Sequence, residues 1–268
     1  YRGVKTTRDY DALIDDAKIK AVAVAAPAAL HYDLARRALL AGKRVFVEKP
    51  LPLRVPQAEE LVELARDRKR VLMVGHILEY HPAIRKLKEL VDAGELGDIH
   101  YVYSNRLNLG KVRQEENILW SFAPHDISVI LLLVGAMPQW ASTSGQHYLQ
   151  HDVADVTMTC LSFPGKARAH IFVSWLHPFK EHKLVVVGSR KMAVFDDVIK
   201  EGKLKIFDKG IEWKEGRPVT RQTAESTLFF PATEPLPETT IAAQPRAARH
   251  RQIPQPAQSG KRLPLRPA

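Results

Sequence analysis

Along the first eighty residues the apolar positions switch repeatedly between two periods. Residues 21–26 form a run of small apolar side chains of the length of a buried strand, and Pro27 opens a helical stripe of Leu30, Leu34, Ala38 and Leu39. Gly42 ends that stripe, Val45, Phe46 and Val47 form a second strand, and Pro50 prevents the strand from continuing. Helical spacing over residues 55–69 and a strand at 71–74 make a third repeat. Strands and helices alternating in this way predict a parallel, doubly wound sheet.

The pattern then changes. Ile84, Leu87, Leu90 and Val91 have helical spacing, with Pro82 in the first turn and Gly94 as the stop, and residues 98–108 read as a strand. Pro124 is expected to start another helix that Gly135 stops. From Val153 onward short strands dominate, at 156–163, 167–175, 183–187, 192–195, 204–207 and 211–213. The expected fold is α/β: a partial Rossmann-type parallel sheet domain over residues 1–78, then an α+β domain with a large, mostly antiparallel sheet over 79–236. Residues 237–268 carry Pro, Arg, Ala and Gln without an apolar period and are expected to be a disordered tail.

Composition narrows the classes. At 268 residues, 45% hydrophobic and 26% charged, the chain reads as an ordinary soluble globular protein. Its single cysteine, Cys160, cannot form an internal disulfide, which suits a reducing cytosol, so a cytoplasmic location is expected. The longest apolar run, residues 127–134, is far short of a membrane span, so no membrane association is expected. The formal net charge of +10 suggests a polyanionic partner, but Arg246, Arg249, Arg251, Lys261, Arg262 and Arg266 supply six of those charges. The remaining body is mildly basic, compatible with a phosphate-bearing small molecule and not demanding nucleic acid.

Candidate chemistry gathers at two places. Glu48 and Lys49 fall at the carboxyl end of a strand, the end that borders the ligand crevice in open α/β sheets, although such a pair is also the usual form of a solvated ion pair. His125 follows Pro124, and in the first turn of a helix the dipole would oppose its protonation and leave a neutral proton acceptor; the plainer reading is a histidine at the start of a core helix. Arg106, as a phosphate contact, with Asn108, Asn117 and Trp120 could bind a sugar nucleotide, and each is equally readable as a surface or packing residue. His147 and His151 have the spacing of a zinc pair but no nearby third ligand, so no metal is expected.

The run AVAVAAPAALHYDLARRALLAGKRVFVEKPL, residues 21–51, closely resembles the signature of the glucose-fructose oxidoreductase and inositol dehydrogenase (Gfo/Idh/MocA) family, and the likeness continues through VGHILEYHPAIRKLKELVDAGELGDI and NILWSFAPHDIS. Among its branches the chain looks most like bacterial dehydrogenases acting on UDP-N-acetylglucosamine or its uronate. The resemblance implies an NAD- or NADP-dependent oxidation of a secondary sugar hydroxyl, with a sugar or sugar-nucleotide substrate, no nucleic acid or membrane partner, and a homo-oligomeric assembly. It places Lys49 at the reacting carbon and His125 as the second catalytic residue, and it puts Ala26, Pro27, His31, Glu48 and Lys49 on the cofactor side, His31 completing the family's Pro-x-x-x-His. Arg106, Asn117, Trp120 and His125 are the implied substrate contacts.

Two departures stand out. Where the family commonly has aspartate, in Trp-Asp-x-x-Pro-His, Trp120 is followed by Ser121, which cannot orient an ammonium as a carboxylate does; Asp126 is a candidate substitute. No G-x-G-x-x-G occurs in the chain, and the family's first βαβ segment, which carries that pyrophosphate-binding turn, would precede Tyr1. Its absence leaves a non-catalytic fragment or sugar-nucleotide-binding protein as the alternative reading.

Overall fold

The computed structural model describes residues 3–228 apart from 111 and 115, with side chains as far as Arg221; the expected tail over 237–268 lies outside these residues. Valines at alternate positions let β1 (Ala21–Val24) and β2 (Arg44–Val47) pair in parallel, with β3 (Leu72–Val74) on the far side of β2. A short helix α1 (Tyr10–Asp15) precedes them, its first turn capped by Asp9, whose Oδ1 accepts from Ala12 N at 3.0 Å. The connections are α2 (His31–Leu40) and α3 (Val55–Asp67). Ala35, Ala38 and Leu39 of α2 and Leu61 and Ala65 of α3 are buried with Val24, Val45 and Val47 of the sheet. Each such leucine contributes about 2 kcal/mol by leaving water. Gly42 ends α2 in the left-handed region, at φ 75°, which a side chain would disfavour. The first strand is shorter than expected, and a 3₁₀ turn at Ala28–Leu30 lies between Pro27 and α2, so the helix proper begins at His31.

Among the described residues the second sheet has eight strands. In chain order they are β4 (Ile99–Leu107), β5 (Trp140–Gln146), β6 (Val156–Ser162), β7 (Arg168–Ser174), β8 (Glu181–Gly188), β9 (Met192–Asp196), β10 (Leu204–Lys214) and β11 (Arg217–Leu228). Across the sheet the order is β11-β10-β9-β8-β4-β7-β6-β5. Only the β4–β7 pair is parallel; the others are antiparallel, as the strand-rich pattern predicts. Period-two alternation buries Leu161, Ala169, Ile171 and Val173 under α5 (Ile118–Val134), with α4 (Pro82–Asp92) packed in the same core against α5 and β9, while Met158, Cys160 and His170 face outward. At the end of β8 the backbone passes so close to the 94–97 turn that a Cβ on Gly188 would lie 2.1 Å from Leu96 O.

Helix α5 differs from expectation in a way that matters for function. It begins at Ile118, not at Pro124: Asn117 is the cap, its Oδ1 accepting from Trp120 N at 3.2 Å, and Pro124 sits inside the helix. His125 is therefore the eighth helical residue, beyond the reach of the terminal dipole that was to hold it neutral. No helix among the described residues is long and apolar enough to cross a membrane.

Candidate active site

The carboxyl ends of the three parallel strands put Ala26–Pro27, Glu48–Lys49 and Gly75–His76 along one edge. Backbone bonds hold them there: Glu48 N donates to Val24 O at 2.9 Å, and Gly75 N to Val47 O at 2.8 Å. From this edge Lys49 reaches across to α5, where its Nζ donates to the main-chain carbonyl of Ser121 at 2.6 Å. The serine thus orients the ammonium with its backbone, a function that no side-chain comparison at this position could reveal. Burial lowers the pKa of Lys49; Glu116 opposes that shift and Arg113 reinforces it. Glu116 is nearly buried, its side chain 7% exposed, with Arg113 Nε 3.4 Å from its Oε1.

One helical turn after Ser121, and so on the same face of α5, stands His125. Its Nδ1 is buried and has no partner among the described residues, and the same holds for Nδ1 of His76. Burial pushes the His125 pKa down to about 4, helped by the charges of Arg106 and Lys49. The ring is therefore neutral near pH 7. The expectation of neutrality holds, but its cause is burial among cations and not the helix dipole. His76, which the sequence reading did not single out, shares the strand-end position that drew attention to Lys49.

Other predicted residues separate into those that meet this site and those that do not. Trp120, 37% exposed, lies between two clefts. One, of about 610 Å³, is lined by His76, Leu119, Pro124, Ile127, Ser128 and Leu131; the other, of about 520 Å³, is of mixed character, with Gln114, Glu116, Asn117 and Asp152 beside Leu53 and Val153. Asn117 thus lines a cleft while its side-chain oxygen caps α5. Arg106 is not a free phosphate contact: it is 8% exposed, its Nε donates to Asp126 Oδ2 at 2.7 Å, and Nη2 donates to Oδ1 at 3.3 Å. Asp126, 3% exposed, also accepts from Ser104 Oγ at 2.6 Å, so its carboxylate is turned into the interior and does not replace the missing acid beside Lys49. Asn108 follows β4, its N–H donating to Ser174 O at 3.0 Å. His31 is 1% exposed with both ring nitrogens against backbone carbonyls, so it is not poised to touch a bound molecule directly. His147 and His151 lie on the loop after β5, where His151 Nδ1 is 2.8 Å from Asp152 Oδ2.

This edge offers a cation on Lys49 Nζ and a neutral imidazole with an unsatisfied buried nitrogen, groups whose chemistry is compatible with the reactive end of a dinucleotide, and the cleft lined by His76 and Pro124 opens nearby. Comparison with known proteins bears on the same region. Residues 1–76 match the family model described as "Oxidoreductase family, NAD-binding Rossmann fold" (GFO_IDH_MocA), and residues 84–194 match the GFO/IDH/MocA C-terminal domain; between them they cover more than half of the chain. An uncharacterized oxidoreductase of Streptococcus pneumoniae is 26% identical over 218 residues, 76% of this chain and 59% of that protein. The UDP-N-acetylglucosamine 3-dehydrogenase of Acidithiobacillus ferrooxidans is 36% identical over 129 residues, 48% of this chain and 39% of the relative. A crystal structure of that enzyme superposes with a TM-score of 0.69 at 25% identity, covering 84% of this chain and 70% of its own. The chain thus spans less than two thirds of the length of these curated relatives. On both family models and on the shared fold, the chain belongs to the Gfo/Idh/MocA family of oxidoreductases.

Proposed function

We propose that this chain carries the acid–base half of a nicotinamide-dependent dehydrogenase that oxidises a secondary hydroxyl of a sugar, with a UDP-linked amino sugar as the substrate class. The observation that carries the reading is the Lys49 Nζ–Ser121 O bond of 2.6 Å, which sets an ammonium one helical turn from a neutral histidine with an unsatisfied buried nitrogen. When bound, the nicotinamide supplies hydride acceptance at the sugar carbon. Lys49 donates a hydrogen bond from Nζ to the reacting oxygen and stabilises the negative charge that develops there. The neutral ring of His125 takes the hydroxyl proton, and its low proton affinity lets it return that proton in the opposite direction.

The mixed cleft beside Trp120 supports a hydroxyl-rich ring as the ligand: Trp120, Leu53 and Val153 for the ring's C–H groups, and Gln114, Glu116, Asn117 and Asp152 for its hydroxyls. Because Arg106 is committed to Asp126, it is not the contact for a diphosphate. The likeness to the UDP-N-acetylglucosamine 3-dehydrogenase supports oxidation at a ring carbon of a nucleotide sugar. The test is turnover by Lys49→Met and His125→Ala with UDP-N-acetylglucosamine and NAD. Each should fall by about 10²- to 10⁴-fold, the usual contribution of a positioned proton-transfer partner. Parent-level turnover in both variants would overturn the assignment.

A further inference from the structure

We infer that His31 is the positioning residue that sets where the Lys49 amine sits, by tying the carbonyl next to it in the chain to the loop that follows β1. His31 is the first residue of α2 and is 1% exposed. A histidine at a helix start ordinarily faces solvent or caps its own helix. Here the residue at the cap position is Leu30, which makes no side-chain cap, and both ring nitrogens of His31 meet carbonyls outside α2. Its Nδ1 lies 2.7 Å from Pro50 O and its Nε2 lies 2.8 Å from Ala26 O. Those two carbonyls belong to the loops leaving β2 and β1 at the edge where the candidate site is built.

The chemistry of the ring makes this more than a spacer. Carbonyl oxygens only accept, so each ring nitrogen holds its carbonyl only while it carries a proton: a ring with an N–H on both nitrogens ties the two carbonyls together, and a ring with one N–H ties one of them. With the proton on Nδ1 the ring secures Pro50 and hence the adjoining Lys49; with the proton on Nε2 it secures the Ala26–Pro27 loop instead. A continuous path then runs from Ala26 O through the ring to Pro50, along one residue to Lys49, and across to Ser121 O on α5. Removing the ring takes this partner from the carbonyl of buried Pro50 and from that of partly buried Ala26, and frees the turn that carries the amine.

Asparagine and glutamine separate the two contacts, because the asparagine amide N–H₂ falls near Nδ1 and the glutamine amide near Nε2. The experiment is pulse acetylation of the purified chain with acetic anhydride, with Lys49 followed by peptide mass spectrometry. It needs neither cofactor nor substrate. His31→Asn should label like the parent, whereas His31→Gln and His31→Ala should label about fivefold faster, the factor that one lost hydrogen bond brings. Parent-rate labelling in a folded His31→Ala protein, or protection by glutamine equal to that by asparagine, would overturn the proposal. Should the variants not fold, the imidazole ¹⁵N–¹H spectrum of the parent decides: a protected Nδ1–H supports it, and a bare Nδ1 refutes it. The consequence for turnover rests on the Lys49 role proposed above, and there His31→Ala should lower kcat with KM little changed. Faster labelling with unchanged kcat would uphold the contact and refute the role of Lys49.

Discussion

The neutrality of His125 makes a measurable claim about stability. In the unfolded chain the ring titrates at its ordinary value of 6.5, and in the fold it is held down to about 4 by burial and by the nearby charges of Arg106 and Lys49. The unfolded state therefore binds a proton between these values that the folded state refuses, and stability must fall as pH drops through that window. Linkage gives about 2 kcal/mol lost between about pH 7 and pH 5, and solvent that reaches the half-buried ring reduces this to about 1 kcal/mol. His125→Asn retains size and polarity and cannot charge, so its stability should lose that much less over the same interval. Urea unfolding followed by the fluorescence of the four tryptophans, at matched pH values, gives both slopes. His81, whose pKa burial also lowers, titrates in both proteins and cancels in the comparison. Parallel pH profiles for parent and variant would show that His125 is charged or exposed in the folded protein, and the acid–base pairing proposed for it would fail.

Other outcomes follow from particular contacts. Arg106→Leu should destabilise the protein by about 3–5 kcal/mol because it strands the buried Asp126 carboxylate, and the double change with Asp126→Leu should recover much of that loss in thermal or urea unfolding. Gly188→Ala should cost more than about 2 kcal/mol, since its Cβ would meet Leu96 O at 2.1 Å, and an unchanged Tm would refute the close approach. Against burial, which raises it, partners His182 and Lys203 hold the Asp197 pKa down to about 2. Stability from that carboxylate should persist above its ordinary value of 3.8 and vanish as pH falls toward 2, a separate acid limb that Asp197→Asn should remove.

The strand-end lysine was legible because each step toward it is local: a glycine stop, three apolar strand residues and a proline that cannot extend the strand. Helix α5 was misread because Pro124 looks like a first-turn residue, while the true cap, Asn117, was weighed as a ligand and not as a side chain able to satisfy a backbone donor. β5 escaped notice because all seven of its residues are exposed, leaving no alternation to detect. β10 was read as two strands, since the polar stretch at the Asp208/Lys209 irregularity breaks its pattern. The Arg106–Asp126 pair joins β4 to α5, and nothing local in either segment announces it. The bond from Lys49 to Ser121 runs to a main-chain atom, which every residue type offers alike, so identity at that position carried no signal.

The placement of β4 has a consequence for how the chain comes together as it is made. The three described strands of the parallel sheet all lie before residue 75 and pair with near neighbours. β4 emerges next, yet both of its partners come much later: Tyr101 pairs with Arg168 of β7 on one side and with Val187 of β8 on the other. Until then a nine-residue strand carrying the apolar Val102 and Leu107 has two open edges. Such late, non-local closure is slow and exposes the chain to wrong pairings. During synthesis both edges of β4 stay open until residue 188 has been added, so a pause in translation before that point prolongs its exposure.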